Sequence, residues 1–302
     1  MNIGYFNARG INDVEHWFKL EIDELRRRGH EVKVFALNKA YGVHPSRSDV
    51  EWMDFAHYHF AQVGNYFKRL GVPFIISPHA NDIFRDDGYT LKMASRHHNC
   101  KAVTYQSFYH KRKFEEWGID KPLVYLPMCC RTELFKRKHN TLHLTGDKII
   151  AGGRLIPKKG LDRLSSVDNL IIFGEGPLED KLKNKLPNAE FVGWKSGKEL
   201  RDTFQKGWIF LNPSVTTPDG DSDGIPNTIK EAMLMEMQVI SSPVAGIPEL
   251  ENVTLFSDWD NINECIETMP RQPNKKGRRE ILNTYSPKST VDRLLNAIEE
   301  YC

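Results

Sequence analysis

Apolar positions along this chain switch repeatedly between two periods. Glu31–Leu37 reads EVKVFAL, an alternation with period two that predicts a strand. Just before it, Val14, Trp17, Phe18, Ile22 and Leu25 recur at helical spacing, which predicts a helix over residues 13–28 with Asp13 as its cap and Gly29 as its left-handed stop. Further strands are predicted at Met1–Phe6, Phe55–Phe60, Phe74–Ser77, Val103–Tyr105 and Leu123–Leu126, with helices at Gln62–Leu70 and about Ser107–Trp117. A second series starts near Asp147. Its strands are Lys148–Ala151, Leu170–Phe173, Ala189–Val192, Ile209–Leu211 and Val239–Ser241, and its helices Leu161–Ser166, Glu179–Leu186, Lys198–Gln205 and Thr228–Met237. A last helix follows Ser286 as cap and Pro287 as first residue, with Val291, Leu294, Leu295 and Ile298 on one face. Strands alternating with helices imply parallel sheets covered on both faces. The expectation is two doubly wound α/β domains, residues 1–140 and 141–302, joined by the polar stretch 136–146, with ligands bound beyond the carboxyl ends of the strands in a cleft between facing sheets.

Composition narrows the class. The chain has 302 residues, 40% hydrophobic and 11% aromatic, enough for a real core and unlike a disordered or collagen-like chain. At about 150 residues per domain this length agrees with two domains. No apolar run reaches the ~18 residues of a membrane helix, and the first residues are a strand with neither basic n-region nor cleavage site. Five cysteines, an odd and low count, favour a reducing compartment. The expected location is cytoplasmic, with peripheral contact at the inner face of a membrane an open alternative. The net charge of +2 hides an asymmetry. Residues 1–140 carry 22 Lys/Arg against 16 Asp/Glu and residues 141–302 carry 20 against 24. That reads either as ordinary solvated surface or as a basic half that meets an anionic acceptor or membrane. Arg26-Arg27-Arg28, Lys111-Arg112-Lys113 and Lys136-Arg137-Lys138 are too short and scattered to indicate nucleic acid.

Residues just after strands carry the candidate chemistry. Gly152-Gly153-Arg154 through Lys158-Lys159-Gly160 offers two glycines for close backbone approach, a guanidinium fork in Arg154 and a point charge in Lys159, a set suited to a diphosphate; a basic surface turn is the alternative. Gly174-Glu175-Gly176-Pro177 reads as a tight strand-to-helix turn. The loop Asn212–Gly224 is long for a compact αβ unit, which points to function. It leads into a helix opened by Pro226 or Asn227, whose free amides suit an anion. Glu231, one turn in, is placed to bind vicinal hydroxyls, and Asp223 lies eight residues earlier; each also reads as an ordinary helix or turn residue. His79 follows the strand Phe74–Ser77 and is placed either to contact a substrate hydroxyl or to serve the core. His57, His59, His97, His98 and Cys100 invite a zinc reading, but no CxxC or HExxH spacing exists and Cys129-Cys130 are badly placed to chelate together, so no metal is expected. There is no GxSxG and no P-loop.

In order along the chain, several stretches resemble family 4 of the retaining glycosyltransferases, enzymes of the GT-B fold. They are Arg28-Gly29-His30-Glu31-Val32, His57-Tyr58-His59-Phe60, Ser77-Pro78-His79-Ala80-Asn81-Asp82-Ile83-Phe84, Gly153-Arg154-Leu155-Ile156-Pro157-Lys158-Lys159-Gly160-Leu161, Phe173-Gly174-Glu175-Gly176-Pro177-Leu178, Phe191-Val192-Gly193-Trp194, Asp223-Gly224-Ile225-Pro226-Asn227 through Glu231-Ala232-Met233, and Pro243-Val244-Ala245-Gly246-Ile247-Pro248-Glu249. The resemblance implies that Arg154 and Lys159 hold the donor diphosphate and neutralise the leaving group. Glu231 would bind the nucleotide ribose as the second acid of an E-x7-E pattern, and Asp223 would face the donor sugar as the first. The amides of Gly224, Ile225, Pro226–Asn227 and Thr228 would line sugar and diphosphate, Gly153 would approach the phosphates, Gly193 and Trp194 would hold the base, His79 would contact the sugar, and Gly10 would approach phosphates and acceptor. Three departures stand out, the first being that the loop Asn7–Asp13 lacks the adjacent glycines common there. Asp223 occupies a position where the family usually has Glu, and only Ser165–Asn169 separates Leu164 from the next strand, which trims the first crossover of the second half.

The implied activity is retaining transfer of a sugar from a nucleotide-diphosphate sugar to a hydroxyl of a glycan or lipid-linked acceptor, in polysaccharide or glycoconjugate biosynthesis. It would need no metal and no cofactor beyond the donor. The helix 287–301 would cross back to the first half. A nucleotide-sugar epimerase of the same fold and a catalytically degenerate binding module are the alternatives.

Overall fold

A computed structural model describes residues 1–8, 16–37, 43–79, 82, 88–137, 144 and 146–302. The chain forms two compact units, Met1–Cys129 with Tyr285–Cys302, and Cys130–Thr284. The first contains β1 (Asn2–Asn7), α1 (His16–Arg27), β2 (Glu31–Ala36), α2 (Arg47–Trp52), β3 (Phe55–His59), α3 (Ala61–Phe67), β4 (Phe74–Ser77), α4 (Tyr89–Ser95), β5 (Cys100–Tyr105), α5 (Phe108–Glu116) and β6 (Leu123–Tyr125). Its six strands are ordered β2-β1-β3-β4-β5-β6 and every pairing is parallel.

Both faces of this sheet are covered, so its central strands are apolar throughout rather than alternating. Phe6, Ala56, Tyr58, Phe74 and Ile76 pack on one face with α3 and α4. Ile3, Tyr5, Phe55, Ile75 and Ala102 pack on the other with Phe18, Ile22 and Leu25 of α1. The period of two then decides where the strand histidines point: His57 and His59 share the α1 face with Phe55, and Glu21 of α1 is buried there with them.

The second unit contains β7 (Lys148–Gly152), β8 (Leu170–Phe173), α6 (Glu179–Lys185), β9 (Glu190–Phe191), α7 (Gly197–Gln205), β10 (Gly207–Asn212), α8 (Asn227–Leu234), β11 (Gln238–Ser241), β12 (Thr254–Leu255), α9 (Ile262–Thr268) and α10 (Lys275–Thr284). Its sheet, β12-β11-β10-β7-β8-β9, is again parallel throughout. The expected helix over 161–166 is instead a pair of 3₁₀ turns, Pro157–Lys159 and Leu161–Arg163: so few residues precede β8 that the crossover lacks length for α-helical turns. After unit 2 the chain returns to unit 1 as α11 (Pro287–Tyr301). Ser286 caps it by accepting from the Ser289 amide, and Val291, Leu294, Ala297 and Ile298 enter the α1 face of the first sheet.

The expected fold class, two Rossmann-like doubly wound α/β domains of the GT-B type, is the one observed. The helices α2, α4, α9 and α10 and the edge strand β12 had not been anticipated. In α2, RSDVEW, no residue is buried, so no apolar period marks it; its signal is a capping box between Ser46 and Asp49. All five cysteines are free. Among the described residues no helix is long and apolar enough to cross a membrane.

Candidate functional site

In a doubly wound sheet, the crevice opens where successive connections leave in opposite directions. In unit 2 that point lies between β7 and β10. The turn after β7 carries Gly153, Arg154 and Lys159, and the loop after β10 leads through Asp223 to α8. The two segments touch: the Val215 amide donates to Lys158 O at 2.9 Å, and a Cβ on Gly160 would stand 2.1 Å from Pro213 O. Gly153, at φ +130°, leaves its outer side bare, and the Lys159 side chain runs over it, 3.4 Å from where a Cβ would stand.

That path brings Lys159 to Asp223. Lys159 Nζ donates to Asp223 Oδ2 at 2.7 Å, Ser214 Oγ donates to the same oxygen at 3.1 Å, and Lys158 Nζ stands 3.7 Å from Oδ1. Lys158 also donates to Asp221 Oδ1 at 2.9 Å and to Ser222 O at 3.3 Å. Both lysines are buried, Lys159 at 9% exposure. Burial acts to raise the Asp223 carboxyl, but the adjoining Lys159 ammonium, with Lys158 and Ser214, holds it below its ordinary value. Arg154 is exposed to solvent, one residue past Gly153.

Helix α8 begins at Pro226 with no side-chain cap. Asn227 Oδ1 and Thr228 Oγ1, in its first turn, are buried without a hydrogen-bond partner, which is uncommon for buried polar atoms and marks a place where a polyhydroxylated ligand would fit. Glu231 is 4% exposed and its carboxylate has no hydrogen bond among the described residues. Burial pushes its carboxyl up to about 7, against the opposing pull of Arg131 and Lys230. Sequence reasoning passed over Arg131, which follows β6, because it belongs to no strand-to-helix turn.

The carboxyl edge continues through β8 and β9. The Gly174 amide donates to Gly193 O at 2.8 Å, and the Trp194 amide reaches Glu175 Oε1 at 3.3 Å, leaving the Trp194 indole 52% exposed. Unit 2 thus carries Gly153, Arg154, Lys159, Gly193, Trp194, Asp223, Gly224, Ile225, Pro226, Asn227, Thr228 and Glu231 on the segments that follow its strands. Gly10 lies outside the described residues.

His79 is in unit 1, after β4, and is 7% exposed. Gln106 Nε2 donates to Pro78 O at 3.2 Å, an atom that only accepts, which fixes the amide; its other N–H meets His79 Nδ1 at 2.8 Å. His79 Nδ1 therefore accepts, and its Nε2–H faces His59 Nδ1 at 3.2 Å. Burial pushes His79 down to about 3 and His59 well below its ordinary value, so both rings are neutral. Deeper in, His57 Nε2 is 2.7 Å from Ser77 Oγ, which is 2.7 Å from Thr104 Oγ1, while His57 Nδ1 is 3.3 Å from Glu21 Oε1, an oxygen that also accepts from Tyr5. Glu21, His57 and His59 bring potential ligand atoms within 4.8 Å of one another. The zinc reading had grouped His57 and His59 with His97, His98 and Cys100; the strand's period groups them with Glu21 instead.

Residues 148–270 match the family described as Glycosyl transferases group 1, which is less than half of the chain. The chain is 34% identical over 119 residues to the amylovoran biosynthesis glycosyltransferase AmsK of Erwinia amylovora, covering 34% of this chain and 29% of that protein. It is 32% identical over 101 residues to the GDP-mannose-dependent alpha-mannosyltransferase of Mycobacterium tuberculosis, covering 32% and 25%. The chain thus spans under a third of the length of either relative. Among solved structures, Anabaena Alr3699/HepE in complex with UDP superposes with a TM-score of 0.74 at 15% identity, covering 99% of this chain and 100% of that one. At that identity the likeness speaks for the fold alone. Unit 2 is therefore similar in sequence to group 1 glycosyltransferases, and the whole chain has the two-domain architecture of a GT-B protein.

Proposed function

We propose that this chain is a retaining glycosyltransferase that moves a hexosyl group from a nucleotide-diphosphate sugar to an acceptor hydroxyl in polysaccharide or glycoconjugate biosynthesis. The observation that carries the reading is the set of groups at the β7/β10 switch point: Lys159 over Gly153, Arg154 in solvent beside it, and the uncapped start of α8 with two unpartnered polar atoms. Arg154, Lys159 and the α8 amides supply the positive potential that a departing nucleoside diphosphate needs, without a metal. Asp223 holds the Lys159 ammonium in place until the diphosphate takes it over, which frees the Asp223 carboxylate to accept from a sugar hydroxyl. Asn227 and Thr228 meet further hydroxyls, and Glu231, once ionised, accepts from the ribose. Gly193 and Trp194 flank the base. The acceptor attacks on the face the diphosphate leaves, and the leaving phosphate oxygen takes its proton. The named relatives differ in nucleotide: one is GDP-mannose-dependent and the solved neighbour was crystallised with UDP. The acceptor is a glycan or lipid-linked glycan, and the basic first half is the surface that would approach an anionic membrane carrying it.

The test is nucleotide release from UDP- and GDP-hexoses, preceded by a thermal-shift screen with UDP, GDP, ADP and dTDP. Lys159→Ala is expected to lower turnover by ~10²–10³-fold. Its fold should survive, because Lys158 remains near enough to balance Asp223. Full activity in Lys159→Ala would sink the assignment. An isomerised donor with no acceptor consumed would identify an epimerase instead.

A further inference from the structure

Two adjacent lysines follow Pro157 in the turn after β7, and their side chains part. Lys159 runs over Gly153. Lys158, with a side chain 7% exposed, enters the loop after β10. Its Nζ donates to Asp221 Oδ1 at 2.9 Å and to Ser222 O at 3.3 Å, and stands 3.7 Å from Asp223 Oδ1. Its backbone joins the same loop, since Lys158 O accepts from the Val215 amide at 2.9 Å. The loop also closes on itself here. The Thr217 amide and hydroxyl both donate to Asp221 O, and the Gly220 amide donates to Thr217 O. Asp221, Ser222 and Asp223 are thus presented in a row to one buried ammonium.

The two lysines take different oxygens of Asp223. Lys159 is on Oδ2, which Ser214 Oγ also reaches, while Lys158 faces Oδ1. When a diphosphate draws the Lys159 ammonium away, Oδ2 keeps the Ser214 hydroxyl and no cation. A buried carboxylate without a cation is costly. Lys158 carries three donors, enough for Asp221, Ser222 O and Asp223 together. We propose that Lys158 is a positioning residue of the donor site: its ammonium holds the Asp223 carboxylate toward the donor sugar once Lys159 has passed to the diphosphate, and Asp221 anchors that ammonium. This rests on the reading of Lys159 and Asp223 given under Proposed function. Neighbouring lysines then have separate tasks, one at the leaving group and one behind the acid that faces the sugar.

The experiment compares wild type, Lys158→Met, Lys158→Arg, Asp221→Asn, Asp223→Asn and the double variant Lys158→Met with Asp223→Asn, all in the full chain. Nucleotide release is measured over a range of UDP- and GDP-hexose concentrations, and affinities for UDP and GDP without a sugar are measured by calorimetry. Lys158→Met should lower kcat/KM by about 10–100-fold, mostly in kcat, because the contact to the sugar is misplaced. Its affinity for UDP and GDP should stay that of wild type. Lys158→Arg keeps the charge and should recover most of the activity, and Asp221→Asn should lose several-fold. The double variant should be no worse than Asp223→Asn alone, because Lys158 acts through Asp223. Additive losses overturn the proposal. A fall in UDP or GDP affinity in Lys158→Met also overturns it and makes Lys158 a diphosphate ligand. Wild-type turnover in Lys158→Met leaves the residue a structural tie. If Lys158→Met does not fold, Asp221→Asn carries the test, and an unchanged kcat/KM there overturns the proposal. If Asp223→Asn is as active as wild type, or wild type releases nucleotide from none of these donors, the reading under Proposed function falls and this inference with it. An impaired Asp223→Asn beside an unimpaired Lys158→Met overturns the inference alone.

Discussion

In unit 1, one buried chain of histidines, hydroxyls and an amide runs from Gln106 to His79, His79 to His59, His57 to Ser77 and Ser77 to Thr104, with the Glu21 carboxylate buried beside His57. In unit 2, the groups buried at the carboxyl edge of the sheet include charged ones. Lys158, Lys159 and Asp223 balance one another, while Asn227 Oδ1, Thr228 Oγ1 and the Glu231 carboxylate have no hydrogen-bond partner among the described residues. The two sheets share one architecture; the polar groups differ in place, sitting mostly within β3, β4 and β5 in unit 1 and on the segments after the strands in unit 2. Polar groups that bond to one another stabilise a core, although in unit 1 both ring nitrogens of His110 are also without a hydrogen-bond partner among the described residues. A set left open at a sheet's carboxyl edge costs stability and is made good by a ligand.

The contrast gives the units opposite responses to pH. Burial holds His59, His79 and His110 below their ordinary values, with His110 pushed to about 4. Their neutral forms are favoured by folding, so their contribution is complete above pH ~6.5 and is lost as pH falls below it, at about 2 kcal/mol per histidine by pH 5. Hydrogen exchange of the intact chain should show β3 and β4 losing protection between pH 7 and 5 while β10 and β11 hold. Equal loss in both sheets would erase the comparison.

A smaller effect runs the other way. Glu231, raised to about 7, binds its proton more tightly folded than unfolded, so its cost to stability grows as pH rises from ~4.5 through ~7. Glu231→Gln should therefore stabilise unit 2 at pH 8, by roughly 2–3 kcal/mol at most, while abolishing nucleotide affinity. Calorimetric melting at pH 5 and pH 8 would check it: the gain should shrink to under about 1 kcal/mol at the lower pH. The smallest effect is Ser286→Ala, which removes the cap of α11 and should cost about 1 kcal/mol, read as faster exchange on the α1 face of unit 1 with β10 and β11 unchanged.

The strands and the ligand edge were legible because buried parallel strands leave short apolar runs bounded by glycines, and because Gly153, Lys159 and Asp223 sit in turns of recognisable composition. The trimmed crossover before β8 could be read from residue count alone. Helix α2 was not legible, because no apolar face distinguishes it. The tie between the segment after β6 and the end of α8 was not either: Arg278 donates to both Phe135 O and Leu234 O, and no local pattern encodes that. The grouping of Glu21 with His57 and His59 likewise needed the position of α1 on the sheet.

The return of α11 to unit 1 has a consequence for the order of events during synthesis. Unit 2 is one continuous stretch and emerges from the ribosome complete, whereas the first sheet is made early and its last covering helix arrives only after residue 284. Until then Ile3, Tyr5, Ile75 and Ala102 lack the Val291, Leu294 and Ile298 side chains that share their cluster. The first-made half of the nascent chain is thus the one that finishes last, and through that interval its uncovered apolar face is a natural client surface for chaperones.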